Sequence, residues 1–130
     1  MPEEEVCKRV EDILKLLNIE ELKHRQPYHL SGGEKRKVAI ASILVMNPEV
    51  LVFDEPMNGL DPEAKRFLKD LMIALNEAGK TILCSTHDFQ YVKDVFKRAI
   101  VFSKDHTIIR DGDYRSIMKD EEFLYNNNII

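Results

Sequence analysis

The sequence predicts an α/β fold with a largely parallel sheet flanked by helices. Two short, unbroken apolar runs, Val50-Leu51-Val52-Phe53 and Thr81-Ile82-Leu83-Cys84, have the length and residue types of strands buried on both faces. Apolar residues at helical spacing separate those runs, and strand alternating with helix implies a layered sheet. Each run also leads directly into a polar cluster, Asp54-Glu55 or Ser85-Thr86-His87-Asp88. In open α/β sheets ligands sit at that end of the strands.

Taken in order, Val6, Val10, Ile13, Leu14 and Leu17 predict an amphipathic helix from Glu3 to about Leu17. Its acidic start, Glu3-Glu4-Glu5, suits the positive end of the helix dipole. Residues 18–29 read as a polar connection containing Pro27. Ser31 and Glu34 form an S-x-x-E capping box before the apolar run from Val38, so a second helix starts at Ser31. Asn47-Pro48 ends it, because the residue before proline avoids the helical region. Pro62 opens the next helix, where its missing N–H costs nothing, and Gly79 stops it. Phe67, Leu68, Leu71, Met72 and Leu75 form its buried stripe. A helix over about Asp88–Phe96 is expected next, then a hairpin of strands Ala99–Phe102 and Thr107–Arg110 that Asp111-Gly112 terminates. Short helices over about Tyr114–Lys119 and Asp120–Tyr125 close the chain.

With 130 residues, 44% of them hydrophobic, the chain can build one compact core. A formal net charge of −4 and the lack of a basic stripe argue against nucleic acid as a partner, since that needs many Lys and Arg contacts to phosphates. Cys7 and Cys84 show no metal-ligand spacing and read as free thiols in a reducing compartment. The run Val38–Met46 is nine residues long, against about 20 for a membrane span. A signal-peptide pattern is not seen, and the expectation is a soluble, cytosolic chain.

Four features have the residue types for chemistry, and each also has a plainer reading. Asp54, at a strand end, is placed to hold Mg²⁺, and Glu55 beside it to orient or deprotonate a water, although Asp-Glu-Pro after a strand can be a solvated turn. Leu30-Ser31-Gly32-Gly33-Glu34 puts two glycines, poor helix formers, into a first helical turn. Bare backbone N–H groups there suit an anion, while a capped helix without ligand accounts for Ser31 and Glu34 alone. His87 could donate to a terminal phosphate, although a lone histidine near a strand end is more often structural. Asp61 could be only the N-cap of the Pro62 helix.

The order of these pieces is more specific than any one of them: LSGGE, then VLVFDEP, then NGLD, then STHD. It resembles the signature motif, Walker B strand, D-loop and switch histidine of ATP-binding-cassette (ABC) transporter ATPases, and the likeness extends over essentially the whole chain. The resemblance implies that Asp54 coordinates Mg²⁺, Glu55 is the catalytic base, His87 contacts the γ-phosphate of ATP, and Asp61 bridges two subunits. It also implies that Ser31, Gly32, Gly33 and Glu34 face nucleotide held by a homologous ATPase in a head-to-tail dimer. Residues 1–47 would then be part of the helical signature subdomain and residues 48–130 the C-terminal part of the ATPase core. A transmembrane transporter subunit would be the further partner, and the location the cytoplasmic face of the membrane.

Two departures change little: Glu34 stands where glutamine is commoner, and Met57-Asn58 precedes Gly59-Leu60-Asp61. A third is serious. No G-x-x-x-x-G-K-[ST] loop occurs, so the N-terminal, phosphate-binding half of a P-loop fold is absent and the chain alone is expected to be inactive. The acidic segments Pro2–Val6 and Asp120–Leu124 look like those of cobalt/nickel-type and energy-coupling-factor importers, which implies uptake of a metal ion or vitamin. The competing expectation is a non-catalytic module that donates its signature helix to a complete partner ATPase.

Overall fold

A computed structural model describes residues 1–130, which fall into two compact units, Met1–Val50 and Leu51–Ile130. Each is described by itself.

The first unit holds helices α1 (Glu3–Leu16) and α2 (Gly32–Leu44), with short 3-10 turns at Glu20–Leu22 and Pro27–His29 between them. At the end of α1, Asn18 adopts φ 54°, a left-handed conformation that asparagine tolerates. The Asn18 N–H then bonds the Lys15 carbonyl and the Ile19 N–H that of Leu14, satisfying the last turn and folding the chain back. The reversal carries Leu17 and Ile19 into the interior, where both are essentially inaccessible. Ala41 and Leu44 of α2 are buried in the same unit, and Arg9 Nη1 donates to the Val45 carbonyl just beyond α2 at 3.4 Å.

The second unit contains strands β1 (Val50–Asp54, whose first residue closes the other unit) and β2 (Thr81–Ser85), neighbours in one sheet. The 16-residue α3 (Pro62–Glu77) connects them. Leu68, Leu71, Met72 and Leu75 of α3 are buried at i, i+3, i+4 and i+7, worth about 1.5–3 kcal/mol each. Gly79, at φ 95°, ends the helix by the device used at Asn18, its N–H bonding Asn76 and that of Lys80 bonding Leu75.

Beyond β2 come α4 (Phe89–Val92), the antiparallel pair β3 (Arg98–Phe102) and β4 (Ile108–Asp113), then α5 (Tyr114–Lys119) and α6 (Glu121–Asn126). Two expectations fail here. The helix predicted to reach Phe96 stops at Val92, and the chain goes on as a turn in which the Val95 and Phe96 N–H groups both bond the Val92 carbonyl. Asp111-Gly112 does not end β4 but lies inside it: Gly112 pairs with Ala99 and Asp111 with Ile100. Arg98 holds that extension through two bonds to the Asp111 carboxylate, at 2.8 and 2.7 Å.

A third difference concerns burial. The first two strands were expected to be covered on both faces, yet Leu51 is 5% exposed while Val52 beside it is 72% exposed. Each sheet has only two strands, so β2 and β3 each keep an unpaired edge. Both strands line one cleft of about 730 Å³, with Val52, Leu83, Ile100 and Phe102 on its wall. A run of apolar residues is therefore strand-like here without being enclosed.

Candidate functional site

The polar ends of β1 and β2 meet. Asp54 closes β1 and Ser85 closes β2, and the Ser85 hydroxyl donates to Asp54 Oδ1 in a very short bond. The Glu55 N–H donates both to the Ser85 carbonyl and to Ser85 Oγ, each at 3.1 Å. Glu55 sits at φ 44°, a left-handed conformation that costs a non-glycine residue on the order of 1 kcal/mol or more. That twist turns the chain off the strand axis, and the Asn58 N–H closes the turn onto the Glu55 carbonyl. Met57, 2% exposed, anchors the loop from beneath.

His87, two residues beyond Ser85, comes back to Glu55: its Nδ1 lies 2.9 Å from Glu55 Oε1. The His87 side chain is otherwise open, with 72% of its surface accessible. A bond of this kind requires a proton on Nδ1. In the neutral ring Nε2 is then an acceptor, whereas the imidazolium donates from both nitrogens, one to Glu55 and one outward. The pair can thus accept a proton from water or hold a proton toward an anion.

Asp54, the expected magnesium ligand, uses Oδ1 for Ser85 and keeps Oδ2 without a protein partner. No group of three or more His, Cys, Asp and Glu side chains gathers into a metal-binding cluster. Magnesium is commonly bound by one or two carboxylates with water and substrate phosphates supplying the remaining positions. One accessible carboxylate oxygen fits an ion that arrives with a nucleotide, and does not fit a cage made by protein alone.

Behind this cluster lies Cys84, half-buried on β2. Burial, with the nearby negative charges of Glu55 and Asp54 adding to it, pushes its thiol up to about 11.

Asp61 lies in the same unit as the N-cap of α3. Its Oδ1 accepts from the Ala64 N–H at 2.8 Å, with Pro62 in the first helical position, so the plain capping reading holds. Gly59, at φ 70°, makes the turn that delivers it.

Ser31, Gly32, Gly33 and Glu34 belong to the 1–50 unit and form the expected capping box. Glu34 N–H donates to Ser31 Oγ at 3.2 Å, and Ser31 N–H donates to Glu34 Oε2 at 2.7 Å. The bond from the Ser31 backbone holds the Glu34 carboxyl below its usual range. Neither glycine has a positive φ, and a Cβ built on either would meet nothing within 4 Å. Their lack of side chains serves no contact inside this chain.

Motif order assigns Ser85 no role of its own, although it stands in the STHD cluster; its position as the last strand residue opposite Asp54 is a matter of register. A Gly-Lys-Thr tripeptide, Gly79-Lys80-Thr81, leads from the C-terminal end of α3 into β2. A phosphate-binding loop runs the other way, from strand into helix N-terminus, so this tripeptide is a helix stop.

Residues 2–58 match the ABC transporter family model, a span that includes Ser31–Glu34, Asp54 and Glu55. A protein of Clostridium acetobutylicum named as an ABC transporter ATP-binding protein is 65% identical over 98% of this chain and 53% of its own length. The energy-coupling factor transporter ATP-binding protein EcfA of Methanococcus maripaludis is 40% identical over 99% of the chain and 46% of its own. The chain is similar to part of these ABC transporter ATP-binding proteins. The fold agrees: the structure of CbiO1 from Clostridium perfringens, described as part of the ABC transporter complex CbiONQ, superposes with a TM-score of 0.82 at 37% identity, covering 99% of this chain and 51% of that one. Thus the chain has an ABC ATPase fold and spans about half the length of the relatives it matches. No helix in it is long and apolar enough to cross a membrane.

Proposed function

We propose that this chain supplies the hydrolytic residues of an ABC transporter ATPase of the energy-coupling-factor type, and that it works with a phosphate-binding half not found in its 130 residues. The observation that carries the reading is the His87–Glu55 pair, 2.9 Å apart, beside Asp54 at the joined ends of β1 and β2. A strained backbone at Glu55 supports it, since strain persists where a fold holds a side chain in place for use.

In this reading Glu55 takes the proton of the attacking water and His87, held by Glu55, presents its outer nitrogen to the terminal phosphate of ATP. Asp54 holds magnesium, which when bound neutralises phosphate charge. Ser31, Gly32, Gly33 and Glu34 face nucleotide bound by a homologous ATPase. The open space above Gly32 and Gly33 supports this, because phosphate can approach a bare helix N-terminus closely. Asp61 contacts that partner through whatever its capping bond leaves free. The assembly drives a transmembrane subunit from the cytoplasmic face, with a metal ion or vitamin as cargo. EcfA and CbiO1, the named relatives, support that class of transporter.

The test is to co-express the chain with the P-loop-bearing half of the Clostridium acetobutylicum relative and assay Mg-ATP hydrolysis. Hydrolysis by the pair, with none by either part alone, is the expected outcome. Absence of hydrolysis from a well-folded pair contradicts the reading.

The capped, exposed helix start at Ser31, with open space above Gly32 and Gly33, favours a second reading, a non-catalytic module that lends its Ser31–Glu34 helix to a complete ATPase. Stimulation of a full-length relative that disappears with Ser31→Arg yet survives Glu55→Gln would select it.

A further inference from the structure

His87 is exposed, so little packing holds it. Its orientation depends on what fixes the backbone on either side. Upstream, Ser85 is tied to β1 through Glu55 N–H. Downstream, the Asp88 N–H donates to Thr86 Oγ1 at 2.9 Å, closing a tight turn with His87 at its tip. That turn needs an anchor of its own, because α4 is only four residues long and Asp88, its N-cap, makes no side-chain capping bond.

The anchor comes from α3. Lys65 Nζ lies 3.3 Å from Asp88 Oδ2, and the same ammonium sits 4.1 Å from the centroid of the Tyr91 ring. Lys65 is mostly buried by these contacts, with 19% of its side chain accessible. One cation thus grips the residue after His87 and the ring one helical turn further on. Partial burial makes both contacts stronger than their fully exposed counterparts. At its other end Lys65 is joined to the candidate partner-facing loop, for its N–H donates to the Asp61 carbonyl at 3.0 Å in the first turn of α3.

We infer that Lys65 is a positioning residue that fixes His87 against Glu55 and links its placement to Asp61. The inference deepens the proposed function, since a fixed His87 matters to hydrolysis only if that reading holds. Its primary readout is independent of hydrolysis: the nitrogen signals of the His87 imidazole in the 130-residue chain. Recorded at alkaline pH, where an imidazole ring is neutral, Nδ1–H held on Glu55 gives well-separated Nδ1 and Nε2 signals. In Lys65→Met, which keeps the apolar stem and removes the charge, the two signals converge toward those of free histidine. Lys65→Arg retains the separation, and Asp88→Asn, which removes the same ion pair from the other side, reproduces the convergence. Separated, unchanged His87 signals in folded Lys65→Met or Asp88→Asn chain overturn the inference. In the reconstituted ATPase, Lys65→Met lowers kcat by about fivefold, matching the loss of one part-buried ion pair and one cation–π contact, and leaves KM for ATP unchanged. A matching rise in KM with kcat intact would instead assign Lys65 to nucleotide binding and overturn it. If the pair hydrolyses no ATP at all while the imidazole signals respond as stated, the proposed function fails and the positioning of His87 stands.

Discussion

His87 Nδ1 lies 2.9 Å from Glu55 Oε1, although the two residues leave different strands and stand 32 positions apart in sequence. The contact exists because Ser85, the last residue of β2, is locked to both Asp54 and Glu55. The strand ends therefore act as one platform, and the side chains just beyond them share it.

Ser85→Ala removes the hydroxyl that touches both acidic residues. Glu55 N–H keeps the Ser85 carbonyl as an acceptor, so it is not orphaned. The expected loss is about 1 kcal/mol in urea unfolding, the net size of one ordinary hydrogen bond, because the site is exposed. Threonine in its place should retain most of the stability. A Ser85→Ala chain as stable as wild type would show that the platform is held by the backbone alone.

The two thiols should react at very different rates. Cys7 is exposed, whereas the Cys84 thiol is raised from an ordinary 9.0 to about 11 by burial and then by Glu55 and Asp54. At pH 8 a two-unit rise cuts the thiolate fraction by about a hundredfold, and the thiolate is the reactive form. Labelling with a chromogenic disulfide should therefore show one fast and one slow cysteine. Glu55→Gln should quicken the slow one, and two equal rates would contradict this description of β2.

Acid should loosen particular ends of the fold. Glu34 is held below its ordinary 4.5 by the Ser31 backbone bond, Asp111 below 3.8 by Arg98, and Asp113 and Asp120 below 3.8 by Ser116 and Arg110. For a carboxyl lowered on folding, the stabilisation is complete above its ordinary value and is lost as pH falls through the lower folded value. All four groups are solvent-facing, so each contributes modestly. Stability by urea midpoint should stay level from pH 7 down to roughly 5, then fall as the solution becomes more acidic. In Asp111→Asn the fall should be shallower, since that group no longer titrates.

The cleft wall should be sticky. Val52, Leu83, Ile100 and Phe102 all line it while being between 43% and 72% exposed, and contiguous apolar surface of this kind marks a face that another segment covers. The chain alone should bind a hydrophobic fluorescent dye and self-associate in sedimentation. Phe102→Ser should reduce both, with little cost in stability because that ring is 62% exposed. Dye binding unchanged by Phe102→Ser would place the sticky surface elsewhere.

Much of this was legible in the sequence, and the parts that were not have definite causes. Helix starts were plain, because Ser31 with Glu34 and Asp61 with Pro62 are local capping patterns. The α3 stripe, apart from Phe67, which is only half-buried, and the polar ends of β1 and β2 followed from spacing alone. Burial of the strands did not, since Val50–Phe53 reads as enclosed whether or not neighbours are present to enclose it. Nor did the length of α4 or the run of β4 through Gly112, which are set by the Val92 turn and the Arg98–Asp111 bonds across the pair. At the site, Asp54, Glu55 and His87 could be named from motif order, but Ser85 and Lys65 act through contacts between distant residues. Spacing along one chain does not reveal such contacts.

The central claim is that Glu55 is the base of a hydrolytic site completed by a phosphate-binding half. Its most direct test compares wild-type chain with Glu55→Gln, each co-expressed with that half and assayed for both Mg-ATP binding and hydrolysis. Glutamine keeps the shape and still accepts a bond from His87 but cannot take a proton, so hydrolysis should fall by about a hundredfold or more while binding persists. Hydrolysis by Glu55→Gln at the wild-type rate would contradict the account.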